Sequence, residues 1–464
     1  MADSQPCLDV VTIPYFPDPA HYFSALRQRP GAILLDSGRP RAPGGRFDIL
    51  SSDPISTLTR FDNTLHCAPA QSELPDCPFA AQRQLLARAI AEDLPRLDSA
   101  LAERYRELPF LGGLLGQWSY TLSQSHRRGE SEPRPGPALP SLRVGVYDWA
   151  LIQDHDAECS YLIASAERRI NVLSWLDSPT PTERENAFSL TSPFTPDMDR
   201  EAYGAKFQRV QAYIHAGDCY QINLSQRFTA GYRGDLWQAY RRLREATPTP
   251  YAGYFADETG AILSLSPERF VRVADGRVET RPIKGTRPRG KTTTEDDRLA
   301  DELLTSLKDR AENVMIVDLL RNDLGRVCRP GSVAVPALCG LESYANVHHL
   351  VSVVHGTLEA GVDALDLLAA AFPGGSITGA PKRRAMQIID ELEPSQRSVY
   401  CGSLGYVDRR GHMDTSIAIR TVVAEADSLH VWGGGGLVAD SQEQAEYDET
   451  LAKIARLMGA LDPS

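Results

Sequence analysis

"SVYCGSLGYVDRRGHMDTSIAIRTVVAE", residues 398–425, reads as two β-strands joined through the tight "DRRG" turn. Such a hairpin needs an antiparallel sheet. Working outward, "GAILLDSG" (31–38), "RFDILSSDP" (46–54), "LRVGVYDWALIQDH" (142–155) and "CSYLIASA" (159–166) carry the same strand signals, and "CYQINLSQRFTA" (219–230) alternates like a strand. Helical patterns stand between them. "AAQRQLLARAIAEDLPRL" (80–97) is one, "DREAYGAKFQRVQAYIHAGD" (199–218) is a second with an aspartate cap, a long pattern runs from about 295 to 324, and a final helix spans roughly 443–459. Strand blocks with helices inserted, without strict βαβ alternation, predict an α+β fold: a large two-layer β-sandwich with helices packed outside.

The chain has 464 residues, 42% of them apolar and 24% charged, which suits a globular protein with a large core. A formal charge of −12 leaves no basic footprint for nucleic acid. The eight cysteines are scattered without a CxxC pair, so free thiols in a reducing cytoplasm are expected and a zinc site is not. No signal peptide and no membrane span are expected, because no basic region precedes an apolar run and no apolar run approaches ~20 residues. The stretch 174–200 has loop composition and divides the chain into segments 1–190 and 195–464.

Chemistry concentrates in the second segment. In "RPIKGTRPRG" (281–290), Lys284 stands between Ile283 and a Gly-Thr pair with three arginines close by. A lysine facing a pocket among cations can lose its proton and become a nucleophile. In "AEYDETLAKIARLM", Glu446, Glu449 and Lys453 share one helix face, while Tyr447, Leu451, Ile454 and Met458 form a separate apolar stripe. That face reads equally as a solvated surface with i,i+4 Glu-to-Lys support. Glu312 lies in an apolar run of the long helical pattern. Carboxylates from separate helices would make an oxygen-rich site suited to Mg²⁺. "VWGGGGLVADSQ" puts four glycines after a strand, where backbone amides can approach a ligand. Glu268 follows a strand, His349 begins a strand-like run, and Arg420 interrupts an apolar strand as a bidentate partner for a carboxylate.

Taken in order, SPERF, PIKGTRPRG, ENVMIVDLLRND, NVHHLVS, FPGGSITGAPKRRAM, YCGSLGY, SIAIRT, GGGG and EYDETLAK resemble the chorismate-utilising enzyme family. The likeness covers roughly 195–460, making 195–464 the chorismate-binding catalytic segment. "ILLDSG", "RFDILSSDP" and "FLGGLLGQWSY" resemble the N-terminal part of anthranilate synthase large subunits, which assigns 1–190.

The resemblance implies an activity. Water-adding members carry a lysine base where this chain has Gln221, whose amide cannot activate water. Anthranilate synthases have alanine at the position of Lys284, whereas members that aminate chorismate at C4 have lysine. Lys284 is thus implied as the nucleophile at C2 and Glu268 as the acid that protonates the departing C4 hydroxyl. Burial, the nearby arginines and Mg²⁺ would lower the lysine pKa. Mg²⁺ is implied at Glu312 and Glu449, with Glu446 through water. Substrate contacts are implied at Gln221, Gly285, Thr286, His349, Tyr400, Arg420, Gly434, Gly436 and Lys453. Ammonia is implied to come from a separate class-I glutamine amidotransferase subunit, and the product, 4-amino-4-deoxychorismate, leads towards 4-aminobenzoate and folate.

Anthranilate synthases of this build also bind tryptophan. The matching positions are Ser37, Gly44, Gly45, Arg46 and Phe47, with Pro250, Tyr251 and Ala252. They read equally as ordinary turn and core. Two other activities stand against C4 amination: anthranilate synthase, opposed by Lys284, and a pyridoxal-phosphate aminotransferase, which a visible Schiff-base absorbance would reveal. A non-catalytic binding paralogue is opposed by the presence of every implied metal and acid residue.

Overall fold

The hairpin is there, and the chain continues beyond it in a way the apolar run does not announce. Ser403–Asp408 pairs antiparallel with Met413–Ile417. Ile419 N then donates to Ile417 O at 2.8 Å, and Arg420 adopts φ +50°. Thr421–Glu425 leaves in a different sheet, paired with Gly260–Ser266. The second strand of the sequence reading is therefore two strands, joined by a corner at 418–420. Residues on both sides of the corner are buried, so hydrophobicity carries no mark of it.

The structure, a computed structural model, describes residues 5–462 apart from 41, 43–44, 72, 128–133, 179–186 and 345–346. Among these residues the strands form one 13-stranded and one 11-stranded sheet. Both draw on either side of the 174–200 stretch: Ile33–Asp36 pairs with Tyr251–Asp257, and Gly113–Trp118 with Ser403–Asp408. The two sequence segments thus share both sheets.

Strand periodicity explains the layers. In the larger sheet Ile262, Val423 and Trp432 point to a core shared with Leu114, Val144 and Leu404 of the other sheet. Their neighbours Leu263, Val422 and Val431 point the opposite way, onto Trp237, Tyr240, Leu243, Ile454 and Leu457 of two outer helices. The α+β sandwich with helices outside is what the sequence predicted.

Helix ends differ where local chemistry intervenes. The 80–97 pattern is realised as Pro78–Glu92, ending before Pro95. The pattern from 295 breaks into Thr293–Thr305 and Leu307–Leu324, because the Ser306 side chain leaves the helix to accept from Asp309 N. Arg200–His215 begins at the expected aspartate cap, Asp199 accepting from Ala202 N. Helix Ala166–Leu176, capped by Ser165, runs into the stretch read as loop.

Candidate active site

Lys284 lies on strand Ile283–Pro288, the strand on which Gly285 takes φ +82°. It faces a cavity of about 460 Å³, walled by that strand, helices Leu307–Leu324 and Glu443–Leu461, the strand Ser428–Leu437 and the 418–420 corner. The Lys284 pKa is lowered by burial first, with Lys453 acting in the same direction against Glu312, Glu268 and Glu449. The three arginines expected to act here are not among the leading causes. Arg281 pairs with Glu342, Arg287 with Glu302 and Asp309, and Arg289 with Asp296. Each thus has its charge answered by a carboxylate, Arg287 and Asp309 doing so at the cavity's edge.

Glu268 shares the cavity and is buried. Burial raises its pKa to about 7, against the opposing pull of Ser376, Lys284 and Lys453. A carboxyl poised there is half protonated at neutral pH, which suits a general acid. Ser376 Oγ donates to Glu268 Oε1 at 2.9 Å, and Lys284 Nζ donates to Ser376 O at 3.4 Å. Ser376 was inside the quoted "FPGGSITGAPKRRAM" motif, but nothing in its spacing marks it.

The glycine run does not follow a strand; it is part of one, Ser428–Leu437. Alternate glycines serve opposite faces. An added Cβ on Gly434 would strike Ser225, and one on Gly436 would strike Gln221 Nε2 and stand 3.6 Å from Lys284 Nζ. On the other face, a Cβ on Gly433 would meet Thr450 O at 2.6 Å and one on Gly435 would meet Glu446 Oε2 at 3.2 Å. The run therefore lets the final helix close in and leaves room for Lys284. Gln221 is fully buried beneath Gly436, and both its amide atoms lack a partner.

Polar groups suited to an anion line the same cavity. Arg420 is partly buried and, among the described residues, forms no ion pair with a carboxylate; burial together with Arg456 lowers its pKa. A partly buried guanidinium without a carboxylate is a strong acceptor site for one from outside. Tyr400 stacks on Trp432 with ring centroids 5.8 Å apart and meets Ser225 Oγ through its hydroxyl at 3.3 Å. His349 Nδ1 meets Thr286 Oγ1 at 2.9 Å. Burial first, then Arg420, lowers the His349 pKa to about 4, so the ring is neutral at pH 7.

Glu312, Glu446 and Glu449 all line the cavity. Glu446 is buried, unlike the solvated face that the helix pattern also permitted, and it heads a buried stripe with Thr450, Ile454, Leu457 and Leu461. Tyr447, Leu451 and Met458 are only partly buried. Glu446 Oε1 accepts from Ser441 Oγ at 2.7 Å and from Lys308 Nζ at 3.3 Å. Lys308 Nζ also stands 4.0 Å from Glu312 Oε1. Glu449 pairs with Lys453 at 2.8 Å, and Lys453 donates to Gly434 O at 3.0 Å. Burial raises the Glu312 pKa; at Glu449 burial is outweighed by Lys453, Lys308 and Lys284, and the pKa falls. Among the described residues no three acidic, histidine or cysteine side chains are gathered at metal-ligand spacing. The donor chemistry nonetheless fits a hard cation: the groups are carboxylates, and a lysine ammonium already stands between two of them. Lys308 was legible only as an i,i+4 partner of Glu312.

A second cavity, of about 550 Å³, opens between the sheets. It is lined by Ser37, Gly45, Arg46 and Phe47 from the N-terminal segment and by Pro250, Tyr251 and Ala252; Gly44 falls outside the described residues. Ser37 is less free than its turn suggests, since its hydroxyl and amide both donate to Asp48 Oδ1 at 2.7 Å. Arg46 is held by Asp154 and Glu107.

Residues 40–459 match the chorismate binding enzyme family. The chain is 48% identical to aminodeoxychorismate synthase component 1 of Salmonella typhimurium, over 98% of both chains. It is 36% identical to anthranilate synthase component 1 of Pseudomonas aeruginosa, over 98% of this chain and 95% of that one. The crystal structure of anthranilate synthase component I from Streptococcus pneumoniae superposes with a TM-score of 0.77 at 33% identity, covering 89% of this chain and 92% of that one. A cavity that brings an arginine without a carboxylate partner together with a partly buried lysine and a raised carboxyl thus lies within a full-length family likeness, and this chain is a member of the chorismate binding enzyme family.

Proposed function

We propose that the chain aminates chorismate at C4, giving 4-amino-4-deoxychorismate with the enolpyruvyl group retained. The observation that carries this is Lys284: a partly buried amine whose pKa is lowered by burial and which faces the same cavity as a carboxyl raised to about 7. The unanswered Arg420 takes a substrate carboxylate, and Tyr400 and the glycine backbone at 434–436 shape the wall against the ring. The Lys284 lone pair forms a bond to C2, both double bonds of the conjugated ring diene shift by one position towards C4, and the C4–O bond breaks as Glu268 gives its proton to the departing hydroxyl. Ammonia then adds at C4, both double bonds return to their original positions, and the C2–N bond breaks with its electron pair going back to the Lys284 nitrogen. Neutral His349 and Thr286 supply polar contacts without charge.

Glu312, Glu446 and Glu449 would hold Mg²⁺, which neutralises the substrate's ring carboxylate when bound. Replacing Glu449 with glutamine removes a charged oxygen from a hard-cation site. Half-maximal activity is then expected at roughly tenfold higher Mg²⁺, a shift of about 1.4 kcal/mol. An unchanged Mg²⁺ titration would remove Glu449 from the ligand set.

Ammonia comes from a separate glutamine-hydrolysing subunit, in keeping with the "component 1" designation of the relatives. The product feeds 4-aminobenzoate and folate synthesis in the cytoplasm, a reducing setting that suits eight free cysteines. Among the described residues no helix is long and apolar enough to cross a membrane.

The second cavity takes tryptophan as a structural ligand. Its size, the Pro250–Tyr251 wall and the polar groups at its rim suit an amino acid with an indole ring. Tryptophan at a hundredfold excess over its Kd should raise the melting temperature of ligand-stripped protein by roughly 3 °C while inhibiting little. No calorimetric binding, or strong inhibition at micromolar tryptophan, would refute this assignment.

The direct functional test is the mass and chromatographic identity of the product formed from chorismate, Mg²⁺ and an ammonium salt. 4-Amino-4-deoxychorismate is expected; anthranilate as the main product would overturn the reading.

A further inference from the structure

One serine touches both reacting groups. Ser376 Oγ donates to Glu268 Oε1 at 2.9 Å, while its main-chain carbonyl accepts from Lys284 Nζ at 3.4 Å. The residue sits in the short 3₁₀ turn Gly375–Ile377, which is held from several sides. An added Cβ on Gly374 would meet Ile417 Cδ1 at 2.5 Å, and one on Gly375 would meet Leu319 Cδ2 at 2.6 Å, so the turn is pressed against the corner strand and helix Leu307–Leu324. Thr378 Oγ1 donates back to Gly374 O at 2.9 Å. Ile377 O accepts from Arg397 Nη1 at 2.8 Å. Arg397 is itself buried and ion-paired with Glu393 at 2.6 Å, and Glu393 Oε1 accepts from Ser225 N at 2.9 Å. A turn fixed by such a buried network has little freedom to drift.

We propose that Ser376 is a positioning residue that aims the general acid and the nucleophile at one substrate. Its hydroxyl engages Oε1 of Glu268 and, with the Ile283 backbone N–H that the same carboxyl accepts from, fixes how the carboxyl is turned as it carries the proton. Its carbonyl takes one N–H of Lys284 and leaves the amine lone pair for the ring carbon. The proposal rests on the roles given above to Glu268 and Lys284. Once Glu268 has released its proton, the same hydroxyl donates to the carboxylate and favours the charged form. The other charged groups facing Glu268 are Lys284, on strand Ile283–Pro288, and Lys453, on the final helix.

The sign of the pH effect follows. Glu268 must be protonated to act, so activity falls as pH rises through its pKa. Removing the serine hydroxyl removes a stabiliser of the carboxylate, raises that pKa and moves the alkaline limb upward. The test is the pH profile of kcat/KM for chorismate at constant free ammonia, in wild type, S376A and S376T. For S376A, kcat is expected to fall about tenfold and the alkaline limb to rise by about one pH unit, with KM changed by no more than about twofold. S376T, which keeps the hydroxyl, should restore both. A folded S376A whose limb does not move, or an S376T as impaired as S376A, overturns the proposal. Should S376A fail to fold, S376C, a weaker donor of similar size, must show a smaller upward shift, and an unmoved limb there is equally decisive. E268Q separates this from the underlying reading: an alkaline limb surviving in E268Q would mean that Glu268 is not the acid at all.

Discussion

Lys284→Ala is expected to cut C4 amination by at least about a thousandfold, on the order of 4 kcal/mol of barrier. Alanine removes the atom that bonds C2, and no other lysine can replace it. Lys453 is committed to Glu449 and Gly434, and Lys308 to Glu446. Binding should survive, because the anion contacts proposed for Arg420 and Tyr400 come from other side chains of the cavity wall. Calorimetry should therefore give a chorismate Kd within about twofold of wild type while turnover collapses. The space left beside Gly436 also admits a small nucleophile directly at C2, so residual product should shift towards the anthranilate type. Undiminished amination by the alanine variant would remove Lys284 from the reaction.

Glu268→Gln should cost on the order of 10²–10⁴ in kcat, the usual worth of a positioned general acid. Glutamine keeps the shape and can still accept from Ser376, but it has no proton to give. The pH profile carries a second signature. In wild type, activity falls as pH rises through the Glu268 value of about 7, and it rises with pH as Lys284, held below its ordinary value by burial, sheds its proton. The glutamine variant should lose the falling limb and keep the rising one. A variant that retains the wild-type limb would show that another group supplies the proton.

Much of this was legible in the residues because it is local. The strand alternation of 142–155, the aspartate cap at 199 and the motif order that places Lys284, Glu268 and the carboxylates all lie within short windows. What was not legible depends on partners distant in sequence. The apolar run through Ile417–Val423 conceals the corner at Arg420, because both sheets bury their strands on both faces. Arg281, Arg287 and Arg289 look like a cationic setting for Lys284 until Glu342, Asp309 and Asp296 fold against them. The glycine run reads as loop composition, yet it is strand, because the demand for glycine comes from Gln221, Ser225 and Thr450 packing across it. Ser376 and Lys308 are ordinary residue types whose importance arises only from what stands beside them.

The central claim is that chorismate becomes covalently attached to Lys284 before ammonia takes its place. It is tested most directly by quenching wild-type protein in acid during turnover with chorismate and Mg²⁺, then measuring intact mass and mapping the peptide that contains residue 284. The account predicts a substrate adduct confined to Lys284, more abundant when ammonia is withheld and absent from Lys284→Ala. Active turnover with no adduct at any quench time, or an adduct on a different residue, would contradict it.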